Sequence, residues 1–318
     1  MDNNRVQFHA TGGGLFVLYL KNMFFTVITL GIYRFWAITN IQKFMAENIE
    51  WAGERFSFNG TGKERFIGFL KAAAIIVVVF IANYILGWIF GLILGQYGSY
   101  LSMIILFALF IGIIPFIVVG NRRFMTSRTG YRNLRFGFDG KPLELAMIYI
   151  KGIPLTAITL GLYYPIFYID LETYMKAKTR YGNTNFAFQA DNKEFFILCI
   201  KGFFLTLITL GIYGSWFYAD VQNFLWKHTS FQGKNFNNNL TGGAVFKNFL
   251  IAYVIVLFTL GIGFAWAIAR VMKLHLEAIS LESAVDWNSI SAQPDTEASA
   301  TAEGLEAIAN SLEGFMNY

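Results

Sequence analysis

The pentapeptide Thr29-Leu30-Gly31-Ile32-Tyr33 returns as Thr159-Leu160-Gly161-Leu162-Tyr163, as Thr209-Leu210-Gly211-Ile212-Tyr213 and, without its tyrosine, as Thr259-Leu260-Gly261-Ile262-Gly263. The last three copies are 50 residues apart, so the chain has to be read as a repeated unit before any single motif is weighed. Lys21, Lys151 and Lys201 each stand 10 residues before the glycine, and an aromatic stretch follows it by 25 to 27 residues: Phe56-Ser57-Phe58, Phe186-Ala187-Phe188 and Phe236-Asn237-Asn238. The gap before the second clear copy hides another. Lys71 lies 50 residues after Lys21, and Lys43-Phe44-Met45 matches Arg123-Phe124-Met125 at an offset of 80, so this copy carries about 30 extra residues. The five units run near 6–57, 58–137, 138–187, 188–237 and 238–280, with a tail over 281–318.

The Thr-Leu-Gly-Ile-Tyr motif followed by Trp36 or Trp216, the upstream lysine, and Thr179-x-Tyr181 or Thr229-x-Phe231 downstream resemble the YjgN family of bacterial inner-membrane proteins. The resemblance covers roughly residues 6–280, with departures at Ile49 and Gly263. It implies a bacterial inner-membrane location and no particular chemistry.

Composition agrees with that location, because 55% of the residues are hydrophobic and 14% charged, against about 25% charged in an average soluble domain. Residues 72–94 and 101–120 are free of charge and long enough to cross a bilayer core. The polar opening and Lys21 within the first apolar stretch are unlike a cleavable signal peptide, so that stretch is expected to be retained.

Each unit reads strand, glycine turn, apolar helix, Thr-Leu-Gly, second helix, strand. The second helix is amphipathic: Ala37, Ile41 and Phe44 recur as Phe167, Leu171 and Tyr174 and as Phe217, Val221 and Phe224. Thr-Leu-Gly is either the middle of one continuous span or the tip of a helical hairpin. Basic residues gather at the junctions (Arg122, Arg123, Arg128, Arg132, Arg135; Lys176, Lys178, Arg180; Lys227, Lys234) and are nearly absent from the tips, which favours hairpins with both ends in the cytoplasm. Arg34 stands against it. The expected fold is an all-α, multi-pass integral membrane protein of five tandem hairpins, tipped by Gly31, Tyr33, Gly161, Tyr163, Gly211, Tyr213 and Gly261 and linked by short cytoplasmic β-strands.

The tail from Leu276 carries eight acids and no base; its stretch 291–303 reads as disordered, with a short helix possible over 305–315. Cys199 is alone, and His9, His228 and His275 lack ligand spacing, so no disulfide, metal or cofactor is expected. Gly12-Gly13-Gly14 and Gly60-Thr61-Gly62 lack the endings of phosphate loops and read as turns. With no acid/base pair or activated nucleophile in sight, no enzymatic activity and no nucleic-acid partner are expected.

The intramembrane polar candidates are Lys21, Lys71, Lys151, Lys201, Asp170, Asp220 and Arg270. In a hairpin Lys151 and Asp170, and likewise Lys201 and Asp220, would lie at one depth and could pair. Such residues lining a central route would make a transporter or channel for a small, anionic solute. The alternative is a scaffold that binds anionic lipid or a partner protein through its basic cytoplasmic face.

Overall fold

The computed structural model describes residues 4–292; the expected disorder over 293–303 and the helix over 305–315 lie outside them. Strand β1 (Gln7–Phe8) leads into helices α1 (Gly12–Ile28) and α2 (Arg34–Glu47), which return to β2 (Ile49–Trp51). β3 (Glu54–Arg55) and β4 (Ser57–Phe58) precede the long helices α3 (Gly62–Leu94) and α4 (Tyr97–Arg128), then β5 (Thr129–Tyr131). β6 (Leu134–Phe138), α5 (Pro142–Ile158), α6 (Tyr164–Ala177) and β7 (Thr179–Tyr181) follow. The same order continues with β8 (Thr184–Phe188), α7 (Asn192–Ile208), α8 (Gly214–Lys227) and β9 (Thr229–Phe231). β10 (Lys234–Asn238), α9 (Gly242–Phe258), α10 (Phe264–Glu277) and β11 (Ile279–Leu281) complete it.

The helices begin where small polar side chains cap them. Thr11 accepts from the Gly14 N–H, Thr241 from Ala244, and Thr61 forms a capping box with Glu64. Gly12-Gly13-Gly14 is therefore the first turn of α1, whereas Gly60 and Thr61 form the turn between β4 and α3 that the sequence suggested, and Gly62 opens the helix. Each helix pair folds back on itself as a hairpin. Four hairpins have arms of 17 and 14 residues; α3 and α4 have 33 and 32 and are apolar and long enough to cross a membrane.

The all-α expectation needs correction, because the described residues include eleven strands that do more than link helices. β4 through β11 form one antiparallel ladder, and β1, β2 and β3 form another. The two join at both ends. β3 and β4 are one extended stretch around Phe56, whose N–H donates to the Ile49 carbonyl, while Val6 N–H donates to Ile279 O and Leu281 N–H to Asn4 O. The ladder so closes as a barrel, with the helical hairpins in a ring at one end. α10 packs on α1 as α8 packs on α9.

Period-two alternation decides what fills this barrel. Phe136 faces Tyr181 across β6 and β7, Phe186 faces Phe231, and Phe236 faces Leu281. Tyr131, Tyr181, Phe231, Phe236 and Leu281 belong to one buried cluster, against which the partly buried Trp51, Phe56, Phe136 and Phe186 pack. Phe56, Phe136, Phe186 and Phe236 succeed one another at centroid distances of 6.2, 6.4 and 6.3 Å, nearly parallel. The Tyr181 hydroxyl donates to the Tyr131 carbonyl at 2.7 Å, and burial pushes its phenol up to about 12. At the mouth away from the helices, residues 282–292, expected to belong to the tail, cover the opening. Val285 and Ile290 are buried there, the Arg132 guanidinium lies 4.3 Å over Trp287, and Asn183 and Ser291 bond to each other twice.

Glycine sets how closely the hairpins approach. A Cβ at Gly62 would lie 2.4 Å from the Trp36 ring, at Gly242 2.3 Å from Trp216, and at Gly12 2.3 Å from Trp266. The last contact joins α1 to α10, the first and last of the described α-helices. Gly12→Ala should cost about 1–3 kcal/mol, since the Trp266 backbone is also in the way. Gly13→Ala, which meets nothing within 4 Å, should be neutral or stabilising. Thermal unfolding in detergent compares them, and equal midpoints would mean that α1 and α10 do not close the ring.

Candidate functional site

The cavity with a distinct chemistry lies inside the ring, where the second-arm helices meet the barrel, and has a volume of about 350 Å³. Phe56, Phe136 and Phe186 line it on the barrel side, the same aromatics whose alternation builds the barrel. Thr129, Thr179 and Thr229, the first residues of β5, β7 and β9, line it at the level where helix passes into strand. The last turns of α4, α6 and α8 supply Arg122, Met125, Thr126, Lys176 and Trp226.

Each strand threonine donates its hydroxyl proton to the carbonyl four residues back: Thr129 to Met125 at 2.8 Å, Thr179 to Met175 at 2.7 Å, Thr229 to Leu225 at 2.6 Å. That leaves oxygen lone pairs free to accept. Thr229 accepts from Lys176 at 2.9 Å and Thr179 from Arg122 at 3.4 Å. Lys176 is well satisfied, for its ammonium also donates to Leu225 O at 3.2 Å, pairs with Glu172 at 3.4 Å and lies 4.3 Å over the Phe188 ring. Arg122 has the long bond to Thr179 and more donors on its guanidinium than that bond uses. The lining residues hold no carboxylate, imidazole or thiol; Glu172 behind the lining offsets part of the charge of Lys176 and Arg122, and Arg122, with donors to spare, is the group that can orient an anion with an apolar body.

The sequence-selected polar residues lie elsewhere. Lys21, Lys71, Lys151, Lys201, Asp220 and Arg270 are exposed and Asp170 is partly buried. Among the described residues no ion pair joins Lys151 to Asp170 or Lys201 to Asp220. The hairpin register explains why: Asn40 donates to Asn22 at 3.1 Å, so the residue facing that position is the one after the lysine. In the hairpins α5–α6 and α7–α8 it is Gly152 or Gly202, against which Phe167 and Phe217 pack. Each lysine, one residue back, is turned about 100° away from the partner helix.

At the tips, Gly31, Gly161, Gly211 and Gly261 have φ of 92–94°, preceded by leucines at 50–51°, which turns the chain back on itself. Tyr33 and Tyr213 stack on Trp36 and Trp216 at 6.2 and 6.3 Å; Tyr163 N–H is taken by Thr159. The junction arginines are largely engaged within the fold. Arg123 donates to Gly140 O at 2.8 Å, Arg128 pairs with Glu64 at 2.8 Å and Arg132 donates to Ala52 O at 2.9 Å. Arg122 and Lys176 were visible in the sequence only as members of the basic junctions. Their signal was a break in the repeat: Arg122 stands where other units have Gln42, Glu172, Gln222 and Met272.

A family model described as "Bacterial protein of unknown function (DUF898)" matches residues 3–203 and 183–258. The protein named "Inner membrane protein YjgN" of Salmonella typhimurium is 30% identical over 171 residues, which make 54% of this chain and 40% of that protein. The protein of that name from Escherichia coli K12 is 40% identical over 63 residues, 20% of this chain and 16% of that one. The matches therefore span less than half of these relatives' length. No solved structure matches the chain. Because the family model takes in most of the sequence, the chain belongs to the DUF898 family of bacterial proteins, the YjgN family.

Proposed function

We propose that this chain is a multi-pass protein of the bacterial inner membrane, built of five tandem hairpin units, whose axial chamber binds a small anion carrying an apolar body. Location rests on the family, on the two long apolar helices and on the apolar side chains exposed along the outside of the ring. The barrel faces the cytoplasm, because the basic residues lie at its end of the hairpins. The observation that carries the binding reading is the pairing of Arg122 and Lys176 with a lining that is otherwise aromatic and hydroxylic apart from Met125. Transport of such an anion is the natural extension, although the packed aromatics below the chamber would have to part for it to pass. The scaffold reading is supported by the outward lysines, which suit contact with anionic lipid. No catalytic role is assigned to any lining residue.

Decanoate and decanol separate these readings, since they share a chain and differ in charge. Decanoate is expected to bind the purified protein at least 10-fold more tightly, a difference of about 1.4 kcal/mol, and Arg122→Gln to remove most of that preference. Equal binding of acid and alcohol, or a preference that survives Arg122→Gln, would count against the chamber as an anion site.

A further inference from the structure

Lys21, Lys71, Lys151 and Lys201 are each the tenth residue of α1, α3, α5 and α7, and all four are exposed. These helices leave the same end of the barrel, so the four ammonium groups stand at one height. Beyond that height the two kinds of hairpin differ. From Lys151 to Gly161 the chain runs ten residues, about 15 Å, which is half the roughly 30 Å of a bilayer's hydrocarbon. From Lys71 to Leu94 it runs 23 residues, about 35 Å, which covers all of it. The tips differ to match: exposed Gln96 and Ser99 stand at the long one, leucines at the short ones.

On the membrane reading given above, we propose that the lysines mark the cytoplasmic headgroup level, that α3 and α4 cross the bilayer, and that the four short hairpins enter one leaflet and end near its midplane. An irregular turn inside hydrocarbon is ordinarily excluded by its unsatisfied backbone groups. These tips satisfy their donors. Every backbone N–H from 209 to 214, apart from that of Tyr213, donates to a backbone carbonyl within the turn, and Tyr213 N–H donates to the Thr209 hydroxyl. The tips at 29–34, 159–164 and 259–264 repeat the arrangement. Leu30, Leu160, Leu210 and Leu260 are 93–94% exposed in a left-handed conformation that asparagine or glycine would adopt more readily. Leucine at such a place is suited to lipid, not to water. Asp170, Asp220 and Arg270 stand opposite the lysine level to within one residue, and beyond them Arg34, exposed beside the first tip, is the one charge towards any short tip. Were the short tips at the far surface instead, several exposed lysines would sit at the bilayer centre, and the cost is incurred per charge.

The depth of single spin-labelled cysteines in vesicles of phosphatidylethanolamine and phosphatidylglycerol tests this, in the full chain with Cys199→Ala. Leu160→Cys and Leu210→Cys should read the same near-central depth as Phe80→Cys, which stands nine residues beyond Lys71 as Leu160 does beyond Lys151. In intact cells an impermeant maleimide should modify Gln96→Cys and leave both leucine positions untouched; Ile158→Cys, also exposed, serves if a tip variant fails to fold. Shallow readings with external labelling at Leu160→Cys and Leu210→Cys, while Phe80→Cys stays deep, would overturn the one-leaflet insertion and leave the membrane reading standing. Water-exposed readings at Phe80→Cys as well would overturn both.

Discussion

Phe186→Ala is expected to lower the free energy of unfolding by about 3–5 kcal/mol, the range for removing a large aromatic from a packed interior. Phe186 lies 4.8 Å from Phe231, 6.3 Å from Phe236 and 6.4 Å from Phe136, so its loss leaves three rings without a neighbour on one side. Because Phe186 and Phe136 also bound the chamber, the vacated space would open onto it and the cavity would grow. Phe203, exposed on the outside of α7, is the control. Its replacement by alanine exchanges side-chain contact for lipid or detergent contact and should cost far less. Denaturant unfolding in detergent followed by tryptophan fluorescence measures both. Equal losses would mean that the barrel interior is not the source of stability proposed here.

The hairpins were legible in the sequence because their cause is local. A glycine with positive φ follows a leucine, and the threonine before them bonds to backbone on either side. The strands were legible too, since Phe186-Ala187-Phe188 alternates with period two. Their closure was not. Pairing Phe236 with Leu281, or Asn4 with Leu281, joins segments whose register no local pattern records. The hairpin turns were equally quiet. Ala52-Gly53, Arg132-Asn133 and Gln232-Gly233 have positive φ at both positions, yet alanine, arginine and glutamine are weak signals for such turns. For the candidate chamber, repetition pointed elsewhere. The repeated lysines drew attention to an outward face, and a register one residue away from the assumed one separates them from the aspartates. Arg122 and Lys176 escaped because they interrupt the repeat on its inward face. In a ring of similar hairpins, residues that depart from the common pattern along the axis are where a site has to be sought.

The threonine at each tip should matter more than its small size suggests. Its Oγ1 donates to the carbonyl four residues before it, at 2.7, 2.6, 2.7 and 2.6 Å for Thr29, Thr159, Thr209 and Thr259. It also accepts the N–H four residues after it, at 2.9, 3.0, 2.9 and 2.7 Å. Valine has the same shape and can do neither, so the N–H of Tyr33, Tyr163, Tyr213 or Gly263 would be left without a partner. Each substitution should cost about 1–3 kcal/mol, the range for an unsatisfied buried donor, and more where water cannot reach the turn. The tips belong to different hairpins, so the losses should add. Four together come to roughly 4–12 kcal/mol, comparable with the whole stability of an ordinary domain. The fourfold valine variant is therefore expected to be degraded or to aggregate, and the fourfold serine variant, which keeps the hydroxyl, to accumulate and melt close to the parent. Single variants at Thr209 allow the comparison in folded protein, by thermal unfolding first in detergent and then in bilayers. A larger valine-to-serine difference in bilayers would tie the bond to a tip immersed in lipid. Indistinguishable valine and serine variants would mean that the hydroxyl does not hold the turn, and the recurrence of threonine would need another cause.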